Sequence, residues 1–161
     1  MIRIQEFEPI FQDDAVNHIL DIENNEFSMG LTIDMQPDIA DIRKMYQLQK
    51  GNFWLAFHDG HLMGTIGIYH LNEASVELRR MFVCPEFRGK EWGIGQKLLD
   101  MAIGWSIATG YQEVYLETTD WLVAASRFYL KNNFTYVDID QLPLTLPVLR
   151  ATGKFMRLHL R

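Results

Sequence analysis

Cysteine is almost missing from this chain: its 161 residues include one, Cys84. A single thiol forms no internal disulfide, so the cytoplasm is the default compartment. Long apolar runs are missing as well. No stretch approaches the roughly 18 residues that a membrane-spanning helix needs. The opening residues, Met1 to Ile10, carry no basic flank before an apolar core, so a secretory signal is not expected. Basic charge is scarce: 15 Lys and Arg face 21 Asp and Glu, for a net charge of −6 and a pI near 5.3. Affinity for a phosphate backbone needs clustered Lys and Arg, so general nucleic-acid binding is disfavoured. There is no internal repeat, no Pro/Gly linker and no low-complexity stretch. With 48% hydrophobic and 22% charged residues, residues 1–161 read as one soluble globular domain.

The charge that is present is unevenly spread. Residues 1–41 hold ten acidic side chains (Glu6, Glu8, Asp13, Asp14, Asp21, Glu23, Glu26, Asp34, Asp38, Asp41) and one basic, Arg3; the remaining residues hold eleven and fourteen. Two amphipathic helices turning acidic faces to water would produce this pattern. So would an acidic lip that attracts a cationic substrate.

Periodicity gives the element order. Ile2, Ile4 and Phe7 predict a strand over 2–7. Apolar residues from Phe11 to Phe27 fall at helical spacing, and Pro37 opens a second helix that runs to Gly51. Phe53–Phe57 and Leu62–His70 predict a hairpin about Asp59 and Gly60. Ser75–Val83 is a long strand stopped by Pro85. A helix over 94–109 ends at Gly110. A short strand over 113–118 and a helix over 122–132 follow, the helix closed by Asn132 and Asn133. Phe134–Asp138 and Phe155–Leu160 predict closing strands, with Asp140–Arg150 an ordered loop between them. The order β-α-α-β-β-β-α-β-α-β-β describes a mixed sheet flanked by helices, an α+β fold of three-layer type.

The segment from Met81 to Leu99 carries the strongest chemical signal. A strand ends, a loop with Arg88, Gly89, Lys90 and Gly93 follows, and a helix starts at once near Ile94 and Gly95. A helix N-terminus offers unpaired N–H groups and the positive end of its dipole, a seat for phosphate. Gly93 and Gly95 let the backbone approach closely, and Arg88, Lys90 and Lys97 add positive charge. An ordinary strand-to-helix turn with exposed basic residues is the plain alternative. The spacing is not that of a P-loop. A dinucleotide fingerprint would want Gly where Leu98 stands, although Glu117 lies at a suitable distance onward.

Two blocks, Glu77 to Gln96 and Ala125 to Phe134, resemble the GNAT (Gcn5-related N-acetyltransferase) superfamily. Lys90, Gly93 and Gly95 fit that family's acyl-CoA loop pattern R/Q-x-x-G-x-G/A, with Lys in the first place. Ala125, Tyr129, Lys131 and Phe134 fit its A-x-x-x-Y-x-K-x-G-F block, with Asn133 where Gly is usual. Leu122 stands where many members have Asn. The element order matches the family over nearly the whole chain, and its mostly antiparallel sheet is implied.

The resemblance implies acetyl-CoA as co-substrate. Its pyrophosphate would rest on the loop from Arg88 and Gly89 through Lys90, Trp92, Gly93, Ile94 and Gly95 to Gln96, and its pantetheine arm would pair with Met81 and Val83. The Met81 N–H would polarise the thioester carbonyl, and strand 113–118 would splay from strand 75–83 to admit the arm. An ammonium acceptor, with a reference pKa near 10.4, must lose a proton before it attacks. Glu77 stands where some members carry that base, and equal parity puts it on the same sheet face as Met81. A water relay from Glu77, or Glu117, is the alternative. Tyr129 matches the family's general acid for the departing thiolate.

Weaker candidates complete the reading. Cys84 has no legible Cys–His constellation to make it a nucleophile. His58 and His61 flank a turn without a third ligand, so no metal is expected. Trp92 covers the loop, packs on CoA or packs within the protein alone; Trp54, Trp105 and Trp121 are core or acceptor-pocket wall, and Phe128, Leu130 and Phe134 are core. The sequence therefore points to acetyl transfer to a primary amine by direct attack in a ternary complex. The rival is a non-catalytic acyl-CoA-binding or regulatory module on the same fold. Acetyl-CoA and an amine, cationic if the acidic quarter borders it, are the expected partners. Nucleic acid and membrane are not, and a homodimer is left open.

Overall fold

A computed structural model describes residues 1–120, 122–147 and 153–161. Its elements are β1 (Ile2–Glu6), α1 (Gln12–Asp21), α2 (Pro37–Ala40), α3 (Ile42–Met45), β2 (Asn52–His58), β3 (His61–His70), β4 (Ser75–Val83), α4 (Ile94–Thr109), β5 (Glu113–Thr118), α5 (Val123–Lys131), β6 (Thr135–Val137) and β7 (Lys154–His159). The strands form one sheet in the order β1-β2-β3-β4-β5-β7-β6. Every neighbouring pair is antiparallel except β4 and β5. Among the described residues no helix is long and apolar enough to cross a membrane.

Local chemistry accounts for the hairpin and the long helix. Asp59 and Gly60 both have positive φ, 48° and 82°, the geometry of a two-residue turn whose twist matches the flanking strands. In α4, Ile94, Leu98, Leu99 and Ala102 recur at helical spacing and are buried, and the Gly110 N–H closes the last turn on Ile107 and Ser106.

The expected second helix, 37–51, is broken. Asp41 is extended (φ −149°, ψ 87°), and its side chain accepts from the Lys44 N–H, capping a fresh turn. A short polar side chain competes with the helix for backbone groups, and here it wins. The first helix has its own irregularity: α1 runs into a π-helical turn, Ile22–Glu26, which buries Glu23. The expected loop after Asp138 contains a short 3₁₀ turn, Ile139–Gln141; its last expected residues, 148–150, and Trp121 lie outside the described residues.

The core lies on both sheet faces. Ile66, Leu78, Val114 and Met156 pack against Leu98 and Ala102 of α4 and Tyr129 of α5. On the opposite face, Phe53, Leu55 and Phe57 pack against Ile19 of α1, Ile39 of α2 and Ile42 of α3. A smaller cluster joins Leu71, Tyr115, Leu146 and Phe155.

Two features of β4 position the site. Its parallel pairing with β5 covers only Ser75–Glu77 against Glu113–Tyr115, so no β5 residue pairs with its second half. On its other side, Thr65 pairs with Phe82 but Gly67 pairs with Arg79. Arg80 and Met81 therefore share the place opposite Ile66, a bulge in which Arg80 adopts a φ of 58°.

Candidate active site

The bulge decides which side chains meet. Before it, Val76 and Leu78 face α4, while Glu77 lies between Tyr69 and Tyr115 on the opposite face. After it, Met81 and Val83 face α4 and α5, and Phe82 packs with α1 to α3. Glu77 and Met81 consequently project to opposite faces. The equal-parity expectation is overturned, because parity holds only for an uninterrupted pleat.

On the α4 face, the segment after β4 encloses a cavity of about 270 Å³ with the first turn of α4. Of the residues expected to hold CoA, Val83 of β4 and Arg88, Gly89, Lys90, Gly93, Gly95 and Gln96 of the loop line it, and Phe128 and Lys131 of α5 close it. Gly93 sits at the N-cap with φ 62°, a conformation that costs a side-chain-bearing residue about 1–2 kcal/mol. Its carbonyl accepts from the Lys97 N–H at 3.0 Å. The N–H groups of Ile94, Gly95 and Gln96 precede that first helical bond and have no intrahelical partner.

Not every expected loop residue joins them. Ile94 turns its side chain into the core. Trp92 packs on Phe87 and His58, with centroids 4.8 and 5.1 Å away, and braces the loop from beside the cavity. Lys97 lines a different, shallow groove with Ile4, Glu6 and Trp105. Trp54 is core, 1% exposed and edge-on to Trp105. Arg88 is committed: its Nε donates to the Val83 carbonyl at 2.9 Å and its terminal nitrogens fork onto Glu26. Lys131 is the cation that the residue-by-residue reading left without a role, and it lay in the quoted second block. Phe128 was read as core and is also cavity wall.

Behind the cavity, the Tyr129 hydroxyl points at the Met81 thioether, 3.6 Å away. Burial pushes this phenol well above its ordinary range, so it stays protonated at neutral pH, with only a weak acceptor facing it.

The face of α1 to α3 carries the charged groups. Glu77 is 3% exposed and accepts from Arg79 Nε at 2.5 Å. Burial raises its carboxyl above the ordinary range; Arg79 opposes that shift and the Glu117 charge adds to it. The Arg79 guanidinium lies over the Tyr69 ring, 3.9 Å from the centroid. Arg80 reaches α2 and the segment before it, donating to Asp38 of α2 at 2.9 and 2.6 Å, to Glu23 at 3.3 Å and to Gln36. Glu23, Glu26 and Asp38 thus serve internal cations, which removes three of the ten acids from any free rim. Sequence reading missed this network because its members are up to 57 positions apart.

It also missed a Cys–His contact. Cys84 Sγ lies 3.7 Å from His18 Nδ1, and His18 Nε2 meets the Phe82 carbonyl at 3.0 Å. A carbonyl accepts only, so Nε2 carries the proton and Nδ1 faces the thiol. Burial lowers the His18 pKa and raises that of Cys84. The contact is therefore a neutral imidazole against a thiol, the opposite of an activated thiolate.

Residues 16–134 match the model of the acetyltransferase (GNAT) family. The uncharacterized N-acetyltransferase YjgM of Escherichia coli is 34% identical over 117 residues, covering 68% of this chain and 69% of that protein. The human N-acetylaspartate synthetase is 34% identical over 105 residues, 64% of this chain but only 34% of that protein; the chain spans about a third of that relative. The crystal structure of a GNAT-family acetyltransferase from Staphylococcus aureus Mu50 superposes with a TM-score of 0.93 at 32% identity, covering 100% of both chains.

Proposed function

The chain belongs to the acetyltransferase (GNAT) family, and we propose that it transfers the acetyl group of acetyl-CoA to a primary amine by direct attack in a ternary complex. One observation carries this reading: the cavity at the N-terminus of α4 borders β4 where that strand has lost its β5 partner. A phosphate-bearing ligand seated there has an extended backbone beside it for a linear arm.

The residues present suit that ligand. The N–H groups of Ile94, Gly95 and Gln96 and the positive end of α4 fit a pyrophosphate, with Lys90 and Lys131 adding charge at the cavity wall. Arg88 acts mainly on the protein, holding the end of β4 to the turn after α1. Met81 and Val83 would flank the arm. Acetyl-CoA supplies the activated acetyl group.

The two faces of β4 would then divide the work. Glu77, on the α1 to α3 face, takes a proton from the incoming ammonium, directly or through water. The Met81 N–H is the donor for the carbonyl oxygen. Tyr129, protonated and buried on the α4 side, gives its proton to the departing thiolate. The amine and the thioester would approach from opposite sides of the gap in the sheet.

The test is thiol release from acetyl-CoA across a panel of amines, with calorimetry of acetyl-CoA binding alongside. Saturable, amine-dependent release is the expected result. Tight binding without turnover on any amine would overturn the catalytic reading in favour of a binding module.

A further inference from the structure

Arg79 presents a donor pair that the described residues leave unused. Its Nε is fixed on Glu77 at 2.5 Å, and its guanidinium plane is held over Tyr69. Among the described residues, neither terminal nitrogen donates to a protein group, and neither is among the sealed polar atoms that lack a partner. Neither is therefore fully sealed, although the side chain as a whole is only 14% exposed. Arg79 stands two residues beyond Glu77, the last β4 residue paired with β5, so no β5 partner covers it. Arg80, its neighbour on the same face, is consumed by Asp38, Glu23 and Gln36.

We infer that the acceptor amine carries a carboxylate, and that Arg79 grips that carboxylate through its two terminal nitrogens while Glu77 receives the ammonium. The inference rests on the acetyltransferase reading above and gives its acceptor a chemical class, the free amino acids. A guanidinium locked by an ion pair and a ring stack is preorganised for bidentate carboxylate recognition. Residues two apart on one face of a strand are separated by about 6.5–7 Å. A ligand bridging Glu77 and Arg79 thus has its amine and carboxylate only a few atoms apart, as in an amino acid. A protein lysine or a polyamine has no such carboxylate, and its charge would be repelled by Arg79. The acidic N-terminal quarter, which favoured a cationic acceptor, has meanwhile lost Glu23, Glu26 and Asp38 to internal pairing.

The experiment measures kcat and KM at saturating acetyl-CoA for free amino acids, each beside its α-carboxamide, with polyamines as a third set. The expected result on the unaltered protein is a preference for the free acid of about 10- to 100-fold in kcat/KM. Arg79→Gln should abolish that preference mainly through KM, with acetyl-CoA affinity in calorimetry unchanged. Turnover with amides or polyamines equal to or better than with the acids overturns the inference and leaves the acetyltransferase reading intact. Failure of every amine, despite acetyl-CoA binding, overturns both. The acid–amide comparison needs no variant, so it decides the matter even where Arg79→Gln fails to fold.

Discussion

Arg80 donates to both carboxylate oxygens of Asp38, at 2.9 and 2.6 Å, from a strand position where its own φ is +58°. A non-glycine residue in that region costs of order 1–3 kcal/mol. The ion pair, the Tyr46 hydroxyl donating to Asp38 at 2.6 Å, and Thr65 donating to the Arg80 carbonyl at 2.8 Å together offset it. The bulge that sets Glu77 and Met81 on opposite faces is thus held from α2, 42 positions away in the chain.

Asp38→Asn should destabilise the fold by up to about 3–5 kcal/mol at neutral pH, because it removes the nearer carboxylate from a buried cation that keeps only Glu23 as a counter-charge. Burial raises the Asp38 pKa, but Arg80 and Tyr46 outweigh it and hold the carboxyl below its ordinary 3.8. A depressed carboxyl contributes its stability in full above the unfolded-state value, and that contribution is lost as pH falls through the folded one. Urea unfolding of both proteins should therefore show a gap that is constant down to about pH 4 and narrows below it. A gap independent of pH would mean that the charge of Asp38 is immaterial.

Glu77→Gln should lower kcat by about 10²-fold or more. In the unaltered protein the acid limb of kcat should lie above the usual glutamate range, since burial raises this carboxyl, and the substitution should flatten it. A kcat within twofold of the parent would transfer the base to Glu117 or to water.

Tyr129→Phe removes a hydroxyl whose partner is a thioether, so the fold should tolerate it. The expected outcome is a kcat lower by roughly 10²-fold with acetyl-CoA affinity unchanged. Full activity in steady-state assays would return Tyr129 to the core.

Gly93→Val places a branched side chain at a φ of 62°. The nearest described neighbour of a Cβ there is the Lys90 carbonyl at 3.9 Å, so none of the described residues crowds it and the cost is conformational, about 1–2 kcal/mol. Calorimetry on the folded variant should show CoA affinity reduced at least tenfold, because the branch would meet the phosphate. Undiminished affinity would remove this loop from the site.

Cys84→Ala should leave kcat within about twofold and abolish no burst of thiol release, since burial keeps both the thiol and His18 neutral and direct attack needs no covalent carrier. Trapping of an acetylated Cys84 during turnover would contradict direct attack.

Local rules made most of this protein readable from its sequence. Hydrophobic period placed β4 and α4 at the residues where they occur, since both bury a regular set of side chains. The run from Arg88 to Gln96 gave the loop, because a strand end, glycines and a helix start are adjacent in the chain. Tertiary structure alone decided how the groups face one another. A bulge is a mismatch between two strands, Thr65 to Phe82 against Gly67 to Arg79, and neither strand announces it by itself. The pairings of Arg80 with Asp38, of Arg88 with Glu26 and of His18 with Cys84 span 42 to 66 positions. Such contacts follow from which face each element buries, and the bulge reverses that assignment for half of β4.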